Sequence, residues 1–326
     1  MKIRLGYACI NTQLGDDVCT NRRVNRKTLI KLGEDQIEQY LQKLSLSNVA
    51  DVLKTITWNE EHDIRFFRIT SNLFPHVGDT EMIRLFPKIG YFRGDIKFAR
   101  ESLSKIGAFA REHDHRLTMH SNPYVQLGTP NIDVLDKSMF DIIIHYKIFR
   151  YMNFTPSSYN CLILHGGGIY GNKFETLERI KTVLSTMNPK IKNMLVFEND
   201  ERHYNPLDLL LLCEEAKLPL CFDIFHNSIS KERVEITPEF IDRILATWHT
   251  TQRFDVFNEA IPMTPKFHIS EQDDDKRFGA HGAYVYKLPD WLFKLNIEKL
   301  DIMLESKMKE KSVLLLYDKY PQLKNK

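Results

Sequence analysis

Six short apolar runs of the chain each end in a residue that can bind a divalent metal ion. The runs are LTMH ending at His120, LILH at His165, LVFE at Glu198, LCFD at Asp223, KFH at His268 and IMLE at Glu305. Their last residues lie 25 to 45 residues apart, and a strand with its returning helix needs about 30 residues. A single histidine in this position is more often a core residue. Six ligands in the same position indicate a metal site on the face where parallel strands end.

The apolar pattern alternates short β-rich runs with longer helical stretches, which is typical of repeated βα units. Strands are predicted at residues 3–8, 65–70, 116–120, 161–165, 194–198, 220–223, 266–269 and 301–305. Helical periodicity is found at residues 34–56, 97–112, 133–152, 175–187, 206–216, 238–248 and 289–299. The pattern predicts an α/β fold, a single (β/α)8 TIM barrel over residues 1–326 in which 307–326 form a C-terminal extension.

Composition narrows the class of protein only slightly. A hydrophobic content of 43% is ordinary for a globular chain, and a net charge of +2 neither indicates nor excludes nucleic acid. The five cysteines include no C-x-x-C spacing, as expected for free thiols in a reducing compartment. The sequence contains neither a signal-like apolar region near its start nor a run long enough to span a membrane. We therefore expect a soluble intracellular monomer, in the cytoplasm or the nucleus, that makes no membrane contact.

Two further histidines extend the candidate metal site. His226 follows Asp223 by three residues, and His281 lies in the connection after the run that ends at His268. The combined set of five His, two Glu and one Asp exceeds the needs of one ion but suits two or three that share a carboxylate. Mixed imidazole and carboxylate ligands favour Zn, Mn or Fe. Such clusters hydrolyse phosphate esters, so phosphodiester hydrolysis is the predicted reaction class.

Nine segments of the chain carry a resemblance to a known family. They are RLGYACIN, FFRITSNLFP, MHSNPYVQLGTP, LILHGGGIYGNK, FENDE, FDIFHN, KFHIS, GAHGAYV and MLESK. Together they resemble the UV damage endonuclease family, which is related in fold and metal site to endonuclease IV. The resemblance implies a metal-dependent DNA repair endonuclease that acts on damaged double-stranded DNA. Its cut would fall immediately 5′ of cyclobutane dimers and 6-4 photoproducts, with abasic sites as a further candidate substrate.

The resemblance also implies a role for each metal-binding residue. The implied cofactors are two or three divalent ions, with manganese preferred and zinc or magnesium as alternatives. In the family's pattern Glu198 bridges two ions, His120 and His165 complete the first, Asp223, His268 and Glu305 hold the second with Glu198, and His226 and His281 hold the third.

Other residues take roles from the same resemblance. Lys266 matches a lysine that is carboxylated near the metals, and it joins Glu198 as a predicted catalytic residue; its alternative is a barrel lysine paired with a carboxylate. Tyr7 and Asn11 match residues that approach the damaged site. Tyr124 matches a tyrosine that wedges into the duplex, where an aromatic ring can replace lost base stacking. Pro123 occupies the place of a family glutamine, and its side chain cannot hydrogen-bond a base.

Three alternative functions remain open from the sequence. The first is a general abasic-site endonuclease of the endonuclease IV type, which shares the chemistry. The second is a metal-dependent sugar isomerase, disfavoured by the His226 and His281 pair and by the aromatic residue at Tyr124. The third is a non-catalytic damage-binding protein, which a complete ligand set disfavours.

The remaining histidines considered fall on helical patterns or at their ends. We expect them to be surface or packing residues. They are His62, His113, His115, His145 and His249.

Overall fold

Eight parallel strands close a barrel in the computed structural model, which describes residues 1–249 and 263–324. Each strand pairs with its neighbours in sequence order, and β1 pairs with β8 to close the barrel. The strands are β1 Lys2–Ala8, β2 Phe66–Ile69, β3 Arg116–His120, β4 Leu162–His165, β5 Leu195–Glu198, β6 Leu220–Asp223, β7 Lys266–Ile269 and β8 Lys299–Leu304. The predicted TIM barrel is confirmed, and all eight predicted strands are present within two residues.

Helices surround the barrel and bury its outer apolar face. They are α1 Arg26–Leu32, α2 Glu34–Glu61, α3 Thr80–Leu85, α4 Arg100–Glu112, α5 Ile132–Tyr151, α6 Lys173–Thr186, α7 Pro189–Lys192, α8 Pro206–Ala216, α9 Ile224–Ile229, α10 Pro238–His249 and α11 Glu310–Lys319. Side-chain caps start several of them. Asn131 accepts hydrogen bonds from two backbone N–H groups at the start of α5, and Asn205 forms a capping box with Asp208 on α8. Within the described ranges, no helix is both long and apolar enough to cross a membrane.

The connection around β8 differs from the sequence prediction. Instead of a helix over 289–299, only a short 3-10 turn forms at Asp290–Lys294, and Leu295 already has extended backbone geometry. The turn packs inward, with Leu292 buried and Trp291 against Phe267 of β7. The regular helix comes later, as α11, inside the predicted extension 307–326. Two residues of that extension, 325–326, lie outside the described residues, and the division into one domain plus an extension stays a prediction.

Alternate strand residues line the barrel interior in layers. The layer nearest the carboxyl ends holds most of the predicted ligands, and a middle layer lies two residues earlier. Phe66 of β2 belongs to this middle layer and lies close to β1. A Cβ atom on Gly6 would lie 2.3 Å from the Phe66 carbonyl oxygen and 2.6 Å from its ring. Glycine is therefore required at this crossing.

The layer at the amino ends of the strands is a buried ion network. Arg4 Nε and Nη2 donate to the two carboxylate oxygens of Asp301 at 2.8 and 2.7 Å. Arg116, which is fully buried, donates to the same carboxylate at 2.8 Å and to the backbone carbonyls of Tyr159, Thr264 and Ser158. Both guanidinium groups thus have protein partners.

Candidate metal centre

The predicted ligands converge because they occupy equivalent positions on successive strands. His120, His165, Glu198 and Asp223 are the last residues of β3 to β6, and the register pairs His165 with Glu198. The register offsets His120 from His165, and Glu198 from Asp223, by two residues. This stagger closes a barrel of tilted strands, and the side chains still meet inside its mouth.

Glu198 lies at the centre of the cluster. Its carboxylate is 1% exposed, with Oε1 2.7 Å from His268 Nδ1 and Oε2 3.2 Å from His120 Nε2. The His120 and His165 rings lie side by side, with centroids 4.8 Å apart. Histidines from three strands therefore surround one buried carboxylate.

Asp223 and His226 are joined by a helix start. Asp223 ends β6 and caps α9, where its Oδ1 accepts the His226 backbone N–H at 2.6 Å. This turn brings the His226 ring back over the cluster, where its Nδ1 lies 3.1 Å from the Asn199 carbonyl oxygen. The other carboxylate oxygen of Asp223 has no hydrogen-bond partner among the described residues.

Glu305 completes the opposite side of the cluster. It follows the last residue of β8, with Oε1 3.4 Å from His268 Nδ1 and Oε2 3.6 Å from His281 Nε2. Arg68 of β2 forms an ion pair with it. The strand-end pattern of the sequence did not reveal Arg68; the only signal was a charged residue inside the apolar run FFRIT.

Three groups of ligand atoms are close enough to hold an ion each, with all atoms of a group within 4.8 Å of one another. Every group contains Glu198. The groups are Glu198 with His120 and His165, Glu198 with Asp223 and His226, and Glu198 with His268 and Glu305. This partition places His226 with Asp223 rather than with His281, which belongs to none of the three groups.

The donor set fits divalent cations on two grounds. One buried ligand atom of the cluster, Asp223 Oδ2, has no hydrogen-bond partner among the described residues. A buried polar atom without a partner is costly, and a bound cation would satisfy it. The mixture of imidazole and carboxylate is also the ligand type that Zn and Mn accept.

The pKa values of the two central carboxyl groups, Glu198 and Asp223, are shifted in opposite directions. Burial raises the pKa of Glu198, but the His268 charge and the contact with His120 outweigh it and hold that pKa well below its ordinary value. Burial raises the pKa of Asp223 well above its ordinary value, and the charges of Glu198 and Glu305 add to this. Like charges this close resist joint ionisation unless a cation is added. The cluster is therefore poised to gain positive charge.

Lys266 lies two residues before His268, inside the barrel. It is fully buried, its Nζ has no hydrogen-bond partner among the described residues, and it lies 5.8 Å from the centroid of the Phe66 ring. Burial lowers its pKa, which favours the neutral amine. No carboxylate of residues 1–249 or 263–324 forms a hydrogen bond with this amine, and both interpretations of Lys266 stay predictions.

The residues predicted to contact DNA divide into two pairs. Tyr7 is fully buried, where its hydroxyl donates to Asn59 at 2.5 Å and accepts from Asn11 at 2.9 Å. Pro123 and Tyr124 lie exposed in the loop after β3, with Tyr124 41% accessible. The second pair is available to a partner in this conformation, whereas the first is enclosed by protein.

Asn199 is a second residue at the site whose role the strand-end pattern did not indicate. Its side chain accepts from the Asp223 backbone N–H at 2.9 Å and donates to the Asp223 carbonyl oxygen at 3.0 Å. These two bonds tie the end of β5 to the end of β6, and so fix Glu198 relative to Asp223. The available signal was its position directly after Glu198 in the run FEND.

The fold and the site together define a (β/α)8 barrel protein with a cluster of potential metal ligands at the carboxyl ends of its strands. The family model described as UV-endonuclease UvdE matches residues 3–325. The chain belongs to this family, as the sequence resemblance predicted.

Relatives match over nearly the whole chain. A protein of Acanthamoeba polyphaga mimivirus assigned to the UV-damage endonucleases is 40% identical, with 98% of this chain and 91% of the relative covered. The UV-damage endonuclease of Schizosaccharomyces pombe is 31% identical over 97% of this chain, which spans only 50% of that protein. The crystal structure of SacUVDE has a TM-score of 0.78 at 26% identity, covering 98% of this chain and 100% of that one.

A more distant structural likeness extends to other barrels. Endonuclease IV from Thermus thermophilus has a TM-score of 0.53 at 12% identity, with 98% of each chain covered. At this identity the likeness shows the shared fold alone.

Proposed function

We propose that the protein is a metal-dependent endonuclease that hydrolyses the phosphodiester bond 5′ of UV photoproducts in double-stranded DNA. The proposed substrates are cyclobutane dimers and 6-4 photoproducts, with abasic sites as a further candidate. Family membership supports the DNA repair role. The observation that carries the chemistry is the convergence of three ligand groups on the single carboxylate of Glu198.

Each ligand group suggests one position for a divalent ion. Glu198 would be shared, and two or three ions with manganese preferred would account for the donor set. When bound, such ions supply Lewis-acid activation of water and neutralise charge on the phosphate oxygens. The protein supplies the fixed geometry. Asn199 hydrogen-bonds the end of β6 to the end of β5, and Arg68 orients the Glu305 carboxylate through an ion pair.

Lys266 is proposed to act beside this cluster as a carboxylated residue. A neutral amine is the form that adds carbon dioxide, and burial favours that form here. The carboxyl group would add negative charge next to the ligands and give the buried Nζ a new environment. Incorporation of ¹³C-labelled bicarbonate, detected by NMR as a carbamate signal that Lys266→Met removes, would test this; absence of the signal in the active protein would refute it.

Tyr124 is proposed to contact the lesion. Tyr124 is exposed and lies in the loop that directly follows His120, and both features support a contact with DNA. The neighbouring Pro123 lacks the amide expected there, so lesion probing would rest more heavily on the aromatic ring. Tyr7 and Asn11, enclosed in this conformation, would reach DNA only after a rearrangement.

The direct test is incision of end-labelled duplexes that contain a cyclobutane dimer, a 6-4 photoproduct, an abasic site or no damage, with manganese or with EDTA. We expect manganese-dependent cutting 5′ of the photoproducts. Glu198→Gln should abolish cutting and lower metal content, because the amide keeps the shape but loses the shared charge. Exclusive cutting at abasic sites would favour the endonuclease IV type of activity, and undiminished cutting by Glu198→Gln with full metal content would overturn the assignment.

A further inference from the structure

A cavity of about 260 Å³ lies behind Tyr124, away from the ligand cluster. The loop after β2, the loop after β3 and helix α5 form most of its walls, and Asp141 and His145 of α5 are among its lining residues. Both residues are nearly inaccessible, at 6% and 2%. Neither has a role in the metal chemistry.

Asp141 connects helix α5 to the exposed loop through one oxygen atom. Its Oδ1 accepts the Asn122 amide at 2.6 Å and the Tyr124 hydroxyl at 2.9 Å. Its Oδ2 lies 3.3 Å from His145 Nδ1, an ion-pair contact without a hydrogen bond, while the same nitrogen lies 2.8 Å from the Asp141 backbone carbonyl oxygen. The other ring nitrogen of His145 has no hydrogen-bond partner among the described residues.

The energetics explain why Asp141 remains an anion. A buried carboxylate is costly unless it is paired and hydrogen-bonded. Burial opposes the charged form of His145, but the adjacent Asp141 charge outweighs it and raises the pKa of His145. Hydrogen bonds to an ionised acceptor are stronger than neutral ones, so the Tyr124 hydroxyl is held by a charge-assisted bond.

A second contact holds the ring itself. The Lys137 ammonium lies 4.5 Å from the centroid of the Tyr124 ring, within cation–π range. The tyrosine is therefore fixed at its hydroxyl and at its ring, both times by side chains of α5. The hydroxyl contact is lost if phenylalanine replaces tyrosine, whereas the ring area is kept.

We infer that the Asp141–His145 pair positions Tyr124 for contact with damaged DNA. His145 fixes the charge of Asp141, Asp141 fixes the hydroxyl of Tyr124, and the ring is presented in one orientation before DNA arrives. Preorganisation of this kind raises affinity because less freedom is lost on binding. The inference rests on the proposed contact between Tyr124 and the lesion, and it assigns the pair a positioning role, since neither residue touches the reacting atoms.

Single-turnover incision of a dimer-containing duplex tests the inference. The half-saturating enzyme concentration reports lesion affinity, the saturated rate reports chemistry, and competition by unlabelled undamaged duplex reports nonspecific affinity. We expect Tyr124→Phe to raise the half-saturating concentration about three- to tenfold, the value of one hydrogen bond. The saturated rate should stay within about twofold, because the ligand cluster is untouched.

A double-mutant cycle separates positioning from general stability. Asp141→Asn should raise the half-saturating concentration in the wild-type background but not in the Tyr124→Ala background, since it acts through Tyr124. Asp136→Asn, an exposed carboxylate on the same helix, is the matched control and should change nothing. Tyr124→Phe leaves the buried pair intact, so the test survives even if Asp141→Asn folds poorly.

The outcomes distinguish the inference from the function on which it rests. If Tyr124→Ala weakens lesion affinity but Tyr124→Phe equals wild type, the positioning role is overturned and the lesion contact stands. An equal effect of Asp141→Asn with and without Tyr124 also overturns it. If Tyr124→Ala itself changes nothing, the loop is not at the lesion and both proposals fail.

Discussion

The two ends of the barrel interior both contain buried charge, but they satisfy it in opposite ways. At the amino ends of the strands, Arg4 and Arg116 share the Asp301 carboxylate, and backbone carbonyls and the Tyr159 hydroxyl accept their other bonds. At the carboxyl ends, Asp223 Oδ2 is buried with no hydrogen-bond partner among the described residues, and the charges of Glu198 and Glu305 lie beside it. One end is complete within the protein, whereas the other requires something added.

The contrast follows the division of labour in this fold, where the carboxyl ends of the strands carry function and the amino ends carry stability. Guanidinium groups suit the stabilising end because they stay charged and bond several acceptors in fixed geometry. Imidazole and carboxylate suit the functional end because they are metal ligands whose repulsion a cation relieves. The comparison predicts that the two ends respond differently to mutation, to metal and to acid.

The largest expected effect is at the amino ends. Asp301→Asn removes the anion from between two buried guanidinium groups, and breaking a buried pair in this way costs about 3 to 5 kcal/mol of unfolding free energy. Urea denaturation of the metal-free protein measures it. Glu101→Gln, which removes a surface pair with Lys105 on α4, is the control and should leave the midpoint unchanged. Equal losses of unfolding free energy for the two substitutions would contradict the stabilising role assigned to the buried pair.

Added metal should stabilise only through the carboxyl ends. Manganese that binds the folded protein contributes about 2.7 kcal/mol when the free ion is 100-fold above its dissociation constant. The urea midpoint of unfolding should rise when manganese is added and return to the metal-free value when EDTA removes it. The rise should persist in Asp301→Asn, provided that variant folds, and shrink in Glu198→Gln. A rise of the same size in Glu198→Gln would place the ion elsewhere.

Removing one ligand should matter little until metal is present. Asp223→Asn keeps an oxygen for the His226 backbone N–H, and Asp223 Oδ2 has no described hydrogen bond to lose. We expect the unfolding free energy of the metal-free variant to lie within about 1 kcal/mol of wild type. The manganese-dependent increment should be smaller than in wild type. A large loss of unfolding free energy in the metal-free variant would show that the carboxyl ends of the strands also stabilise the fold.

The same contrast explains what could be predicted from the sequence. Each strand-end ligand closes a short apolar run, so the cluster around Glu198 was predictable. Arg68 of β2 and its partner Glu305, which follows β8, are far apart in the chain, and no local pattern links them. The network of Arg4, Arg116 and Asp301 was missed for the same reason, since its members meet only after the barrel closes.

Secondary structure near the C-terminus was the other difficulty. Apolar residues over 289–299 have helical spacing, yet Trp291 and Leu292 pack into the barrel wall and stop the turn after five residues. No helix was predicted within 307–326, where a polar stretch precedes α11. That helix is regular, and its Val313 and Leu316 are fully buried. In both segments, tertiary packing rather than local sequence determined the secondary structure.

The smallest expected effect is an acid sensitivity of the amino ends. Burial raises the pKa of Asp301, but the charges and hydrogen bonds of Arg4 and Arg116 outweigh it and hold that pKa below its ordinary value. A carboxyl group with a lowered pKa contributes stability that is present above its unfolded-state pKa of about 3.9 and is lost as the pH falls through the folded-state value.

The groups facing this carboxylate do not titrate between neutral pH and pH 5. Guanidinium groups keep their charge throughout this range, and burial raises the pKa of Tyr159 above its ordinary value. The stability difference between wild type and Asp301→Asn should therefore be constant from pH 8 to about pH 5 and shrink below about pH 4. Urea midpoints across that range, in EDTA, measure it. A difference that instead changed between pH 6 and pH 8 would show that a histidine contributes to the network. The first to test would be His113 and His115, which flank the Asp114 contact of Arg4.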